Sequence, residues 1–221
     1  MNKVFKPSNK VMIIMMTALT MCLITGIAMA IEEPKYTVIK KSDDFELRQY
    51  EPKIIAEVLI DGDMSQASNR GFRLIADYIF GNNTAADGNQ AKISMTAPVT
   101  MENEPISEKI DMTVPVTMEK QTNENSNQWR MHFVMPSEFT METLPKPNND
   151  RVKVRQIPDK NYAVIRFSGF TGTQKVEEKT SLLIDWMTQN GLKPKGQPEL
   201  ARYNAPLTLP FLRRNEVMIA Y

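Results

Sequence analysis

Apolar and polar positions along residues 36–221 follow two periods, one typical of strands and the other of helices. In the first half, apolar runs bounded by turn residues predict strands at 36–41, 45–50 and 53–61. Helical spacing then predicts a helix over 64–80, with Asp63 as its N-cap and Gly81-Asn82-Asn83 at its end. Its buried stripe is predicted to contain Phe72, Leu74, Ile75, Tyr78 and Ile79.

The second half repeats this order of elements. The pattern there predicts a strand at 128–135, an irregular connection at 137–150, strands at 151–157 and 162–168, a helix at 174–190, and closing strands at 199–203 and 216–221. The order strand, strand, helix, strands thus occurs twice. We therefore predict one α+β domain over residues 31–221: a distorted antiparallel β-barrel of two pseudo-symmetric halves with two packed helices.

A near-identical segment occurs twice between the halves, as KISMTAPVTME at 92–102 and KIDMTVPVTME at 109–119. Strand alternation gives each copy one apolar face and one small, polar face. We expect the two copies to form a hairpin in which Met101 faces Ile110 and Val99 faces Met112. The motif methionines then either line a pocket for a flat apolar ligand or fill the core under a helix, and the pattern alone favours the core.

Residues 1–30 have the pattern of a targeting segment. Lys3, Lys6 and Lys10 precede an uncharged apolar run, and Ala28-Met29-Ala30 matches a signal-peptidase site. The alternative is an uncleaved membrane anchor, since about 20 apolar residues suffice to span a bilayer. Both alternatives predict a folded part outside the cytoplasm, either periplasmic or secreted or attached to the membrane.

Composition excludes several classes of function for residues 31–221. Without residues 1–30, 24 basic and 26 acidic residues remain, a balance that gives no basic footprint for nucleic acid. Cys22, the one cysteine, lies in the targeting segment, so disulfides and thiol catalysis are excluded from the folded part. His132 is the one histidine, which argues against a histidine-rich metal site and a Ser-His-Asp triad. We expect a protein that is not an enzyme.

Several motifs in one collinear order resemble the SOUL haem-binding protein family. They are the paired MTAPV and MTVPV, WRMHFVMP at 129–136, ETLPKPN at 142–148, and FLRRNEV at 211–217, with Tyr50-Glu51-Pro52 and Phe167-Ser168-Gly169. The resemblance covers roughly residues 35–221. It implies a distorted β-barrel with two helices, similar to bacterial effector-binding domains. It also implies non-enzymatic binding of haem or a related tetrapyrrole.

The resemblance directs attention to particular residues. Some members are proposed to ligate iron through a histidine ahead of the first helix, but residues 31–69 contain none. Other members are thought to hold the porphyrin by apolar contacts, with basic residues near the propionates. We therefore predict an apolar pocket between a helix and the Met-rich hairpin. Its candidate ligand-binding residues are Met95, Met112, Phe72, Arg70, Arg73 and Arg213.

The sequence leaves more than one alternative for the iron ligand and for the function. His132 is a weak candidate metal ligand in the middle of a strand, and Met95 and Met112 are the first alternatives. Arg213 and Arg214 either meet propionates or have a structural role, capping loops or pairing with an acidic residue near the C-terminus. The leading prediction is an exported haem-binding protein. The alternative is an interaction module of the same fold that binds another apolar ligand, a lipid or an envelope protein without haem.

Overall fold

The computed structural model describes residues 31–103 and 128–221. Within these residues, nine strands form one antiparallel sheet, and two further short strands pair with each other. The elements are β1 (Tyr36–Ser42), β2 (Phe45–Tyr50), β3 (Lys53–Asp61), α1 (Met64–Ile79), β4 (Asn83–Thr84), β5 (Val99–Asn103), β6 (Gln128–Val134), β7 (Lys146–Pro147), β8 (Lys153–Ile157), β9 (Lys160–Phe167), α2 (Thr173–Gln189), β10 (Glu199–Arg202), a 3-10 turn (Pro210–Leu212) and β11 (Asn215–Ala220).

The strand order shows the predicted pseudo-symmetry. The sheet runs β1-β2-β9-β11-β10-β5-β6-β3-β8. Outward from the central β5–β10 pair, the strands β5, β6, β3 and β8 correspond to β10, β11, β9 and β2. Each half thus has the chain order strand, strand, helix, strand, strand. The first strand of each half pairs with a strand of the other half: β2 pairs with β9, and β8 pairs with β3. The two-halved α+β architecture is confirmed, as a sheet curled into a half-barrel.

Both helices pack on the same face of the sheet, as the register shows. Leu200 lies opposite Met101 on one side and Val217 on the other, so these three side chains share one face. Met101 belongs to the core under α1, and Leu200 and Val217 belong to the core under α2. The predicted cap of α1 is also confirmed, because the Asp63 carboxylate accepts hydrogen bonds from the backbone N–H groups of Ser65 and Gln66 at 3.0 and 2.9 Å.

The opposite face of the sheet buries an ion network. Arg48 donates to both carboxylate oxygens of Glu216 at 2.8 and 3.0 Å, and both side chains are almost fully buried. Arg214 and the Tyr203 hydroxyl also donate to Glu216, at 2.9 and 2.7 Å. Burial raises the pKa of this carboxyl, but its hydrogen bonds and the charges of Arg48 and Arg214 outweigh burial and leave the pKa below its ordinary value.

The predicted hairpin of the repeated segments is wrong for the described part of the first copy. Both edges of β5 are occupied: Val99 lies opposite Phe133 of β6 on one side and Arg202 of β10 on the other. A strand has two edges, so Val99 and Met101 are not available to pair with a second copy. The chain is also not a strand at 92–98, and Thr96 and Thr100, expected on a polar face, are buried.

Several predictions lie outside the described residues. These are the targeting segment at 1–30 and the second copy of the repeat with Met112. Within the described ranges, neither helix is both long enough and apolar enough to cross a membrane.

Candidate binding cleft

A cavity of about 310 Å³ opens between α1, the centre of the sheet and the loop before β11. We call it the basic cleft. It is lined by Ser68, Asn69, Phe72, Val99, Met131, Thr171, Arg202, Asn204, Ala205, Pro206, Arg213 and Asn215. Its volume is at the lower end of the range for small-molecule pockets.

The apolar wall of the cleft exists because α1 lies close to β6. Gly71 faces the sheet, and a Cβ at this position would come within 3.0 Å of the Met131 sulfur and 3.4 Å of a Val58 methyl carbon. The absence of a side chain at Gly71 therefore sets the spacing between helix and sheet. Phe72, the next residue, packs on Phe133 with ring centroids 5.5 Å apart and also lines the cavity.

Arg202, the last residue of β10, contributes a partly buried cation to the cleft. Its Nη2 donates to the Ser68 hydroxyl at 2.9 Å and approaches the Met101 sulfur at 2.8 Å, but its Nε is buried without a hydrogen-bond partner. Among the described residues, no carboxylate lies within ion-pair distance of this guanidinium. Burial lowers its pKa, as expected for a cation without a counterion.

Arg213 contributes a second cation and also holds the adjacent loop. Its Nε donates to the Thr208 carbonyl at 2.8 Å and its Nη2 to the Pro206 carbonyl at 2.7 Å. The guanidinium carbon lies 5.3 Å from the centre of the Phe170 ring. These contacts leave further N–H donors of Arg213 for a ligand, since a guanidinium has five.

Together these groups form a positively charged, partly apolar site. No aspartate or glutamate is present among its lining residues in the described part of the chain. The side chains of Asn69, Asn204 and Asn215 add amide groups, and Phe72, Val99 and Met131 add an apolar surface. Guanidinium groups bind carboxylates and phosphates in bidentate geometry. The arrangement therefore suits a flat apolar molecule that carries carboxylate groups.

A second cavity, of about 330 Å³, has the opposite character. It lies between the start of β3 and residues 134–142, and four carboxylates line it, from Glu32, Glu33, Glu51 and Glu142. Lys53 also lines it, above the Tyr50 ring at 4.6 Å. Glu33 already pairs with Arg214, and Glu32 accepts a hydrogen bond from the backbone of Ser137. This acidic cavity does not suit an anionic ligand.

The structure separates the predicted site residues. Phe72 and Arg213 both line the basic cleft. Arg70 and Arg73 are on the exposed side of α1, where Arg70 donates to Gln66 and Arg73 to the Asn69 carbonyl. Met95 is 37 % exposed in the segment before β5 and does not line the cleft. Met112 lies outside the described residues.

His132 lies on the other side of the sheet from the basic cleft. Its neighbours in β6, Met131 and Phe133, face α1, so His132 points to the opposite face, where it is 5 % exposed. Its Nδ1 is buried without a partner. Burial, and then the charges of Lys53, Arg155, Arg130 and Lys160, hold its pKa well below the ordinary value. The imidazole is therefore neutral at pH 7.

Sequence reasoning named only Phe72 and Arg213 among the lining residues of the cleft, and the most consequential residues that it missed are Arg202 and Met131. The sequence does carry an indication of Arg202, because it is a single charged residue that ends the apolar run Leu200-Ala201. The pattern assigns this position to the end of a strand, which is commonly exposed to solvent. Only the packing of β10 beside β5 and α1 shows that the guanidinium is desolvated.

The sequence matches the model of the SOUL heme-binding protein family over residues 31–107 and 100–220, and the chain therefore belongs to this family. A search of curated protein sequences found no significant match.

Solved structures share the fold at low sequence identity. The crystal structure of the EcmrR C-terminal domain matches with a TM-score of 0.55 and 11% identity, covering 84% of this chain and 96% of that one. A hydrolase from Listeria innocua matches with a TM-score of 0.50 and 11% identity, covering 82% and 93%. EcmrR in its complex with DNA matches with a TM-score of 0.52 and 11% identity, covering 95% and 65%. These likenesses show the α+β fold alone.

Proposed function

We propose that this SOUL-family chain binds haem, or a related tetrapyrrole with carboxylate groups, in the basic cleft and does not transform it. The family's description as haem-binding supports the class of ligand. The lining of the cleft supports the location, between α1 and the strands that carry Val99 and Met131.

One observation carries the proposal: Arg202 is desolvated without an acidic partner. A buried charge usually has a counterion, because removing it from water is costly. Among the described residues the Arg202 guanidinium has only a hydroxyl and a thioether as neighbours within hydrogen-bond distance. A ligand carboxylate would provide the missing charge and accept the proton of the unpartnered Nε. The residues present thus fit the propionates of a tetrapyrrole.

The lining of the cleft supports binding of the haem propionates more than it supports ligation of the haem iron. Haem iron can take an axial ligand from a histidine, cysteine, methionine or tyrosine. Within the described part of the chain, the lining residue of this kind is Met131, and His132 faces away from the cleft. We therefore propose that apolar contacts and the two guanidinium groups dominate binding, so that iron-free protoporphyrin binds about as well as hemin.

The cellular setting forms part of the proposal. The lysines, apolar run and Ala28-Met29-Ala30 of the first 30 residues support export of the domain, by cleavage or by anchoring. The near-neutral charge of residues 31–221 gives no support for nucleic-acid binding. The function proposed is therefore capture of a tetrapyrrole outside the cytoplasm.

The test is a titration of the chain with hemin and, separately, with protoporphyrin, followed by absorbance and fluorescence. We expect saturable one-to-one binding of both ligands. Arg202→Met should weaken it by about tenfold or more, since charged hydrogen bonds contribute roughly 1.5–3 kcal/mol. The matched control is Arg70→Met, which removes an exposed guanidinium of α1 that does not line the cleft.

The variants separate the alternatives. Equal loss of binding in Arg70→Met and Arg202→Met would show that general positive charge, not the cleft, attracts the ligand. Loss of hemin binding in His132→Ala, with protoporphyrin binding unchanged, would assign iron ligation to the other face of the sheet. Titrations that match those of an unrelated β-protein would reject tetrapyrrole binding and favour the interaction module.

A further inference from the structure

Five large apolar side chains project into solvent beside the basic cleft. Four belong to residues 204–213, which we call the apolar loop, and the fifth belongs to the neighbouring turn after β9. They are Leu207, 96 % exposed, Leu209, 55 %, Phe211, 71 %, Leu212, 62 %, and Phe170, 68 %. A cluster of exposed large apolar residues marks an interaction surface, whereas scattered ones do not.

The apolar loop is held in place by its own hydrogen bonds. The Gly169 N–H donates to the Pro210 carbonyl at 2.9 Å, which joins the turn containing Phe170 to the loop. The Arg213 guanidinium donates to the carbonyls of Pro206 and Thr208. The exposed side chains are therefore presented by a fixed backbone.

These hydrogen bonds also satisfy much of the loop backbone without water. Pro206 and Pro210 have no N–H group to satisfy. Five loop carbonyls accept a hydrogen bond from within the loop or from Gly169; they belong to Ala205, Pro206, Thr208, Leu209 and Pro210. Fewer backbone groups of the loop therefore depend on water, which favours a position at the boundary between headgroups and acyl chains.

The charge near the loop is positive, and anionic lipid attracts positive charge. Residues 204–213 and 168–172 contain no aspartate or glutamate. Arg213 lies at the base of the loop beside the Phe170 ring, and no described carboxylate is within ion-pair distance of it. Each arginine near an anionic bilayer surface contributes attraction that decays within a Debye length.

We propose that the apolar loop docks on an anionic phospholipid bilayer, with Leu207 and Phe211 entering the boundary between headgroups and acyl chains and Arg213 at the level of the phosphates. A bilayer fits this surface better than a folded partner does. Leu207 is 96 % exposed and thus protrudes furthest of the cluster, and a fluid bilayer accommodates such a protrusion without a matching pocket. The proposal shares Arg213 with the basic cleft but does not require that the cleft hold a ligand.

The experiment uses a fluorescent label at the loop itself, so that the apolar residues 1–30 do not decide the result. In the full chain with Cys22→Ser, a single cysteine is introduced by Leu207→Cys and labelled with an environment-sensitive dye. Vesicles contain equal parts of phosphatidylglycerol and phosphatidylcholine. We expect a blue shift of the dye and its quenching by spin-labelled lipid. Phe211→Ser should raise the lipid concentration for half of the shift by about tenfold or more.

The matched control places the dye at Asp87→Cys. Asp87 is exposed in a turn beyond the C-terminal end of α1, whereas the apolar loop shares the basic cleft with Ser68 near the N-terminal end. We expect no shift there. A dye at 207 that remains in water when vesicles are present would overturn the proposal. So would a shift without vesicles that grows with protein concentration, because the loop would then be a contact between copies. An equal shift with phosphatidylcholine alone would contradict the role given to Arg213.

Discussion

Two regions of this molecule remove an arginine from water to different degrees and in opposite ways: Arg48 is buried, and Arg202 is partly buried. On the face of the sheet away from the helices, Arg48 meets both oxygens of Glu216. On the helix-bearing face, Arg202 meets no carboxylate among the described residues, and its Nε has no partner. The pKa values move in opposite directions: the hydrogen bonds and charge of Glu216 outweigh burial and raise that of Arg48, whereas burial lowers that of Arg202.

The difference distinguishes a structural use of charge from a binding use. The Glu216 network is complete within the protein, since three side chains donate to one carboxylate. The Arg202 guanidinium lacks a counterion among the described residues, and it lines a cavity. Breaking the first should therefore cost stability, and removing the second should cost ligand binding.

The largest effect is expected from Glu216→Leu. This change breaks the buried pair with Arg48, which typically costs about 3–5 kcal/mol, and leaves Arg48 with Glu46, 2.7 Å from its Nε, as its counterion among the described residues. Urea denaturation should show a loss of this size in the free energy of unfolding, or a chain that no longer folds. Glu178→Gln, which removes an exposed carboxylate of α2, should leave the unfolding midpoint unchanged. A loss below about 1 kcal/mol in Glu216→Leu would contradict the structural role of the network.

A pH dependence follows from the lowered pKa of Glu216. In the unfolded chain this carboxyl titrates near 4.5, and in the folded chain it titrates lower. It therefore contributes stability above pH 4.5, and this contribution is lost as the pH falls through the folded pKa. Glu199, whose pKa burial raises, acts in the opposite sense.

The measurement compares unfolding free energies at several pH values for the wild-type chain and Glu216→Gln. We expect the wild-type chain to lose stability more steeply below pH 4.5 than the variant, in which the titrating group is gone. Parallel curves would show that other carboxyl groups dominate acid unfolding. A folded Glu216→Gln variant is needed for this comparison, and glutamine retains the size of the side chain.

A smaller effect is expected from Gly71→Ala, which tests the packing that forms the apolar wall of the cleft. The added methyl group would meet the Met131 sulfur at 3.0 Å. Overpacking typically costs 1–3 kcal/mol, and the better helix propensity of alanine offsets up to about 1 kcal/mol. We expect a net loss of about 1 kcal/mol by thermal unfolding. A stabilised variant would show that the helix is free to shift away from β6.

The smallest effect on stability is expected from Arg202→Met. Methionine keeps a long apolar side chain and removes a desolvated charge that has no acidic partner, so the free energy of unfolding should stay within about 1 kcal/mol of the wild-type value or rise. Urea denaturation measures this directly. A loss like that of Glu216→Leu would show that the guanidinium stabilises the fold, and would remove the contrast between the two regions.

The fold was largely predictable because its periodicity is local. The bounds of β2 and β3 agree with the prediction, α1 ends within one residue of it, and Asp63 caps α1. The pairing of strands was less predictable. Two similar segments close together in sequence suggested a hairpin, but β5 pairs with β6 and β10 instead. Strand partners depend on the whole sheet, which no single segment specifies.

The site was predictable only in part for the same reason. Family resemblance and residue type led to Phe72 and Arg213, which do line the cleft. The resemblance also led to Arg70 and Arg73, although helical spacing places them opposite the predicted buried stripe of α1, and the structure shows both side chains exposed. Arg202 is a candidate binding residue because its guanidinium has no carboxylate partner among the described residues. The sequence alone does not show which contacts a side chain lacks.

The most direct test of the central claim measures the unfolding midpoint in urea, with and without protoporphyrin, for the wild-type chain and Arg202→Met. A ligand that binds the folded state alone raises stability by RT ln(1 + [L]/Kd). We predict that without ligand the midpoint of Arg202→Met equals or slightly exceeds that of the wild-type chain, and that ligand raises the wild-type midpoint clearly more, as an affinity about tenfold weaker in the variant requires. Equal rises in both chains, or a lower midpoint of Arg202→Met without ligand, would contradict the assignment of the unpaired guanidinium to ligand binding.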